Sequence, residues 1–153
     1  MFSVRCLLPV TFLNTEHFAM TTTHHTARVF VHKVRVPYGH TDQMGFVYYA
    51  HHFLYFEMAR SEMLRSCGLP YGELERMGIR LPVVESHCEY EKPAHFDDEL
   101  TVVSRCRFDG PRLRVEYELK RGEERLANGY TCHVCMTADG RVVRPVAELK
   151  RLV

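Results

Sequence analysis

The chain has 153 residues, 20 Lys and Arg against 19 Asp and Glu, and 46% apolar residues. That length is one ordinary domain, able to bury a core without a metal or disulfide framework. The charge balance leaves no extended basic field for a nucleic-acid backbone or an anionic membrane.

No run approaches the roughly 18 consecutive apolar residues of a membrane-spanning helix, and the longest mixed apolar run, Phe46 to Phe56, contains two histidines. A soluble protein without membrane insertion is expected. Residues 1–25 lack a convincing signal-peptide pattern and read as a flexible or wrongly assigned extension, with Met20 a candidate natural start; residues 26–153 form the domain. The six cysteines are scattered, which suits free thiols in a reducing cytoplasm. Cys132 and Cys135 form a lone C-x-x-C; on a strand, residues three apart face opposite ways and cannot share a metal.

Residues 28–37 are rich in β-branched residues and stop at Pro37, as a first strand should. A glycine-containing loop, Tyr38 to Gly45, leads into a helix from Val47 to about Cys67. Its apolar residues, among them Ala50, Phe53, Leu54 and Met58, surround much of its circumference, which predicts a buried helix. Gly68 and Pro70 stop it.

Tyr71 to Met77 reads as a short helical turn, and Ile79 to Tyr90 as a strand with Pro82 near its start. Thr101–Phe108, the alternating Arg112–Lys120 and Leu126–Thr137 are joined by short turns, so the sheet is antiparallel. In the last of these strands, Leu126, Tyr130, Cys132, Val134 and Met136 share the apolar parity; a short end strand, Arg141 to Val146, follows. Strand, long helix, then about four antiparallel strands is an α+β order in which the sheet wraps one central helix, the hotdog arrangement.

Polar and aromatic residues crowd the start of that helix, from Tyr38 to Glu62. Free N–H groups and partial positive charge at a helix start can hold an oxyanion, and Asp42 lies just upstream. Taken alone, Asp42 reads better as a turn or capping residue than as a catalytic one. His40, two residues before it, would share its side of an extended loop. His51 and His52 are adjacent on a helix and point roughly 100° apart, which argues for pocket lining over a zinc site with His40. Glu57 and Arg60 have the spacing of an internal ion pair. Arg105, Arg107, Arg112 and Arg114 are candidates for meeting phosphates, or simply for a wet strand face.

Tyr38-x-x-Thr-Asp42-x-x-Gly45-x-Val-Tyr48, followed by Phe56-Glu-x-Ala-Arg60-x-Glu-x-Leu-Arg65 and by Glu91-Lys-Pro-Ala-His-Phe-Asp-Asp-Glu-Leu100, resembles the 4-hydroxybenzoyl-CoA thioesterase and Tol-Pal-associated (YbgC-like) acyl-CoA thioesterase family over roughly residues 28–145. The resemblance implies a hotdog-fold acyl-CoA thioesterase, assembled as a homodimer or a tetramer of two dimers. It places the catalytic carboxylate on Asp42, the close-packing glycine on Gly45 and the oxyanion-donating N–H on or beside Tyr49, with Tyr48 next to it. The acyl pocket would lie at a dimer seam that includes residues near Leu81 to Val84, Pro82 and Val83 among them, of the neighbour.

Met44, Phe46, His51 and His52 are expected to line the substrate site. Tyr49-Ala-His51-His52 and His40 depart from the usual family pattern, which leaves the acyl group open. The expected reaction yields free acid and CoA, with no metal and no cofactor beyond the CoA of the substrate. A hydratase using His40 with Asp42, and a non-catalytic acyl-CoA-binding module, are the rival readings; the histidine-proline-glycine and Asp-x-Asn-Pro-x-His patterns that mark hotdog dehydratases do not occur.

Overall fold

The computed structural model describes residues 28–153; the expected extension, Met20 and Cys6 lie outside them. Strand β1 (Val29–Arg35) pairs antiparallel with β4 (Glu99–Asp109), which pairs with β5 (Arg112–Arg121) and then β6 (Glu124–Thr137). Strand β3 (Val83–Tyr90) forms an edge on β6, while the two-residue strands β2 (Ile79–Arg80) and β7 (Val142–Val143) pair with the end of β6. Helix α1 (His51–Ser66) lies on this sheet, followed by the short α2 (Tyr71–Arg76). The expected α+β hotdog architecture is present.

Alternation explains the sheet. Leu113, Val115, Tyr117 and Leu119 of β5 point to the core with Leu100, Val102 and Cys106 of β4, while the arginines and glutamates between them face out. Phe56 of α1 stacks flat on Tyr117, centroids 4.4 Å apart. Gly129 of β6 has no side chain because Phe56 and the β3 backbone already fill that position.

Four expectations need correction. The helix begins at His51, not Val47, because the backbone before it is committed elsewhere: Val47 N–H donates to Ala94 C=O at 2.8 Å and Tyr48 N–H to His40 C=O at 2.9 Å. The helix is buried on one face only, for one sheet covers one side; Leu54 and Met58 are each 37% exposed.

The strand expected over Ile79–Tyr90 is broken at Leu81–Pro82, and β3 carries a bulge between Val83 and Glu85. In β6 it is Ala127, Gly129, Thr131, His133 and Cys135 that face the core. The parity of Tyr130 faces outward, where Arg114 covers the Tyr130 ring at 3.5 Å. A bulge opposite Leu119 and Lys120 lets Leu126 turn inward as well. Cys132 and Cys135 take opposite faces, as strand geometry requires.

Candidate active site

The loop before α1 is a tight hairpin. Thr41 bridges Val47, Asp42 N–H donates to Phe46 C=O at 2.8 Å, and Gly45 N–H donates back to Asp42 C=O at 3.0 Å. Gly45 sits at φ 78°, a left-handed conformation that residues with a side chain adopt at a cost. Asp42 Oδ1 accepts the Met44 N–H at 2.8 Å, so one carboxylate oxygen fixes the turn and Oδ2 has no such bond. The turn role weighed for Asp42 is therefore real, and it orients the carboxylate.

The hairpin is clasped by a segment some fifty residues later. Besides the Val47–Ala94 bond, Phe46 bridges His95 with the two rings edge to face. Asp98 holds that segment, accepting the His95 N–H at 2.8 Å and an Arg121 N–H at 2.7 Å. Although burial pushes its carboxyl up, these partners hold it below the usual range.

Between the two segments lies a largely apolar cleft of about 430 Å³, within the range of small-molecule sites. Asp42, Met44, Phe46, Tyr48, Tyr49 and His52 meet there. Gly45 shapes the loop and is absent from the wall, and His51 turns the other way, its ring stacked on His40 at 4.1 Å. Pro82 and Val83 stand apart from this cleft, where the chain enters edge strand β3.

Sequence reasoning missed the opposite wall, Tyr90, Glu91, Lys92 and Pro93. The Tyr90 hydroxyl donates to Tyr49 C=O at 3.3 Å, and its ring meets His52 edge-on at 4.8 Å. The Glu91-Lys-Pro run carried family resemblance but no distance-spanning cue to the loop around Asp42.

The start of α1 leaves donors free. His51, His52 and Phe53 close tight turns onto Tyr48, Tyr49 and Ala50 C=O. Among the described residues the Tyr49 and Ala50 N–H groups have no acceptor. His40 is not Asp42's partner: its Nδ1 bonds the Tyr55 hydroxyl at 3.0 Å. Burial, then the neighbouring His51, lower its pKa. Burial lowers the His52 pKa, and among the described residues its Nδ1 has no partner.

Glu57 and Arg60 form no ion pair, although both line one cavity; Glu57 is exposed and Arg60 is buried. Arg105 pairs with Glu118, Arg107 and Arg114 with Glu116, and Arg112 with Glu85, all on the outer sheet face.

Comparison with known proteins agrees with this geometry. Residues 36–151 match the family model of the thioesterase-like superfamily. A protein of Aquifex aeolicus, provisionally named an esterase, is 34% identical over 118 residues, 74% of this chain and 89% of the relative. The 1,4-dihydroxy-2-naphthoyl-CoA hydrolase of Synechococcus elongatus is 26% identical over 74% of this chain and 85% of its own. The 1,4-dihydroxy-2-naphthoyl-CoA thioesterase of Synechocystis shares the fold at TM-score 0.76 and 24% identity, covering 82% of this chain and 96% of that one. With the hotdog sheet, the clasped loop and the family match in agreement, this chain belongs to the thioesterase-like superfamily and is a thioester hydrolase.

Proposed function

We propose that the chain hydrolyses an acyl-CoA thioester to a free acid and CoA, with Asp42 as its catalytic carboxylate and the Tyr49 N–H, beside Tyr48, as the oxyanion donor. The observation that carries this reading is the meeting of an oriented carboxylate and unpaired helix-start N–H groups at one apolar cleft. Relatives that hydrolyse naphthoyl-CoA esters support the substrate class.

In the reaction the thioester carbonyl oxygen faces the Tyr49 N–H, whose hydrogen bond to that oxygen strengthens as negative charge develops there. Asp42 either takes a proton from the attacking water or attacks through Oδ2 to form a mixed anhydride that water then cleaves. The C–S bond breaks, and the CoA thiolate departs with the electron pair. Its parent thiol has a pKa of about 8.5, so departure needs neither metal nor bound cofactor. Met44, Phe46 and His52 hold the acyl group, and Gly45 sets the loop.

The working unit is a homodimer, or two dimers paired, in the cytoplasm. Among the described residues edge strand β3 pairs only with β6 and carries the exposed Val83 and Val84, and Val83 lines a cavity with the exposed Leu54 of α1. Through that face a neighbour's Pro82 and Val83 reach the acyl group.

Thiol release followed across acetyl- to palmitoyl-CoA, benzoyl-CoA and hydroxybenzoyl-CoA tests this. Turnover should fall at least about a hundredfold in Asp42→Asn, the scale of losing a catalytic base. Undiminished turnover in that variant removes Asp42 from the mechanism, and no release from any ester removes the activity.

A further inference from the structure

The first turn of α1 carries the oxyanion donor proposed above, yet little within the helix holds it. Among the described residues no side chain caps it. Its opening N–H groups close tight turns, His51 onto Tyr48 C=O at 2.9 Å, His52 onto Tyr49 C=O at 3.3 Å and Phe53 onto Ala50 C=O at 3.2 Å. An uncapped helix start is less firmly held than a capped one. An oxyanion donor has to be in place before charge develops, because a donor that must first reorient gives back part of the stabilisation.

Tyr49 stands between two peptide planes, and fixing both fixes its φ and ψ and the direction of its N–H. The plane that ends in its N–H begins at Tyr48 C=O, which accepts the His51 N–H. The plane that begins at its own C=O is gripped from two sides, by His52 N–H from within the helix and by the Tyr90 hydroxyl from across the cleft, each at 3.3 Å. A carbonyl can only accept, so Tyr90 is the donor.

Tyr90 reaches from a firm post. It is the last residue of β3 and pairs with Ala127 of β6, and the next two N–H groups, of Glu91 and Lys92, donate to Leu126 C=O at 2.8 and 3.0 Å. Its ring meets His52 edge-on at 4.8 Å, so ring and hydroxyl both grip the same helical turn. Partial burial, with Cys88 and Tyr49 adding to it, pushes the Tyr90 pKa up to about 12. The hydroxyl therefore keeps its proton near neutral pH and serves as a donor, not as a base.

We propose that Tyr90 is a positioning residue for the hydrolysis: its hydroxyl, donating to Tyr49 C=O, clamps the turn of α1 whose Tyr49 N–H receives the oxyanion. It acts on the donor's backbone and not on the reacting atoms. This role rests on the acyl-CoA hydrolysis proposed above.

Tyr90→Phe keeps the ring on His52 and removes only the hydroxyl. Thiol release is measured for wild type, Tyr90→Phe and Asp42→Asn with the acyl-CoA that the wild type turns over fastest. Thermal unfolding, and calorimetric binding of S-hexyl-CoA and S-benzyl-CoA, thioethers with no carbonyl to attack, are measured beside it. At 3.3 Å the bond is long for an O–H donor. In Tyr90→Phe kcat should accordingly fall roughly fivefold, within the worth of one hydrogen bond between uncharged groups. KM, thioether affinity and melting midpoint should hold, the pattern of an interaction that counts only in the transition state. The loss should be the same from about pH 6 to 9, where a tyrosine hydroxyl of raised pKa does not titrate.

Unchanged kcat in Tyr90→Phe, with Asp42→Asn inactive, overturns the role of Tyr90 and leaves the hydrolysis standing. A raised KM, weaker thioether binding or a lowered melting midpoint that accounts for the loss makes Tyr90 a wall or packing residue and overturns it as well. So does a pH profile that loses one limb, which would make the hydroxyl an acid or a base. Absence of thiol release by the wild type defeats the hydrolysis itself, and this role with it.

Discussion

Replacing Gly129 by alanine tests the packing of α1 on the sheet. Gly129 sits mid-β6, opposite Tyr117 of β5 and Cys88 of β3. An added Cβ would penetrate the His87 carbonyl oxygen and lie 3.0 Å from Phe56 Cε2 and 3.2 Å from Cys88 Cα. Carbon atoms rest about 3.5–4.0 Å apart. The Phe56 ring can tilt, but the β3 backbone must move, and overpacking of this kind costs about 1–3 kcal/mol.

With backbone as the obstacle we expect the upper end, about 3 kcal/mol. For a domain this size that is a fall of about 10 °C in melting temperature. Urea or thermal unfolding measures it. Because the primary conflict is with the His87 carbonyl, adding Phe56→Leu should not restore stability. A loss under about 1 kcal/mol, or rescue by Phe56→Leu, would refute the reasoning.

His133 makes stability pH-dependent. Its folded pKa of about 4 lies below the unfolded value of 6.5, so the unfolded chain binds the extra proton first. Stability is whole above pH 6.5 and falls as pH drops toward 4, by about 3 kcal/mol from this group. His40 and His52 add in the same direction, so the measurement is the difference in slope between wild type and His133→Gln across that window; parallel slopes contradict it. Asp98→Ala removes two bonds to a carboxylate and should cost about 2 kcal/mol. Because the freed segment walls the cleft, KM should rise more than kcat falls in steady-state assays. Tyr55→Phe deprives His40 Nδ1 of its hydroxyl and should cost about 1 kcal/mol in urea titration, with turnover nearly unchanged if His40 is not the catalytic acid or base.

The elements legible in the sequence were those whose side chains alternate against one core. Strands β4 and β5 read correctly because Leu113, Val115, Tyr117 and Leu119 mark the inner face without ambiguity. Strand β6 read with the wrong face because its inner positions carry glycine, threonine and histidine where apolar bulk was expected, Gly129 leaving room for Phe56 of α1. The helix start was misplaced for a tertiary reason, the capture of Val47 N–H by Ala94. Asp42, Phe46 and Tyr49 were readable from a local motif. Tyr90 and Lys92 were not, since nothing local in a sequence says that residue 94 clasps residue 47.

The arginine–glutamate ladder on the outer sheet has an electrical consequence. Four guanidiniums there, Arg105, Arg107, Arg112 and Arg114, share three carboxylates, Glu118, Glu116 and Glu85, so most of the charge on this face is cancelled beyond a Debye length of about 8 Å at physiological salt. A polyanion such as CoA meets little guiding field from that side. Its capture should proceed at the pace of unsteered collisions, about 10⁵–10⁶ M⁻¹s⁻¹, and the rate should change little when salt is added. Specificity then resides in what the cleft accepts after contact, and the enzyme discriminates by residence, not by arrival.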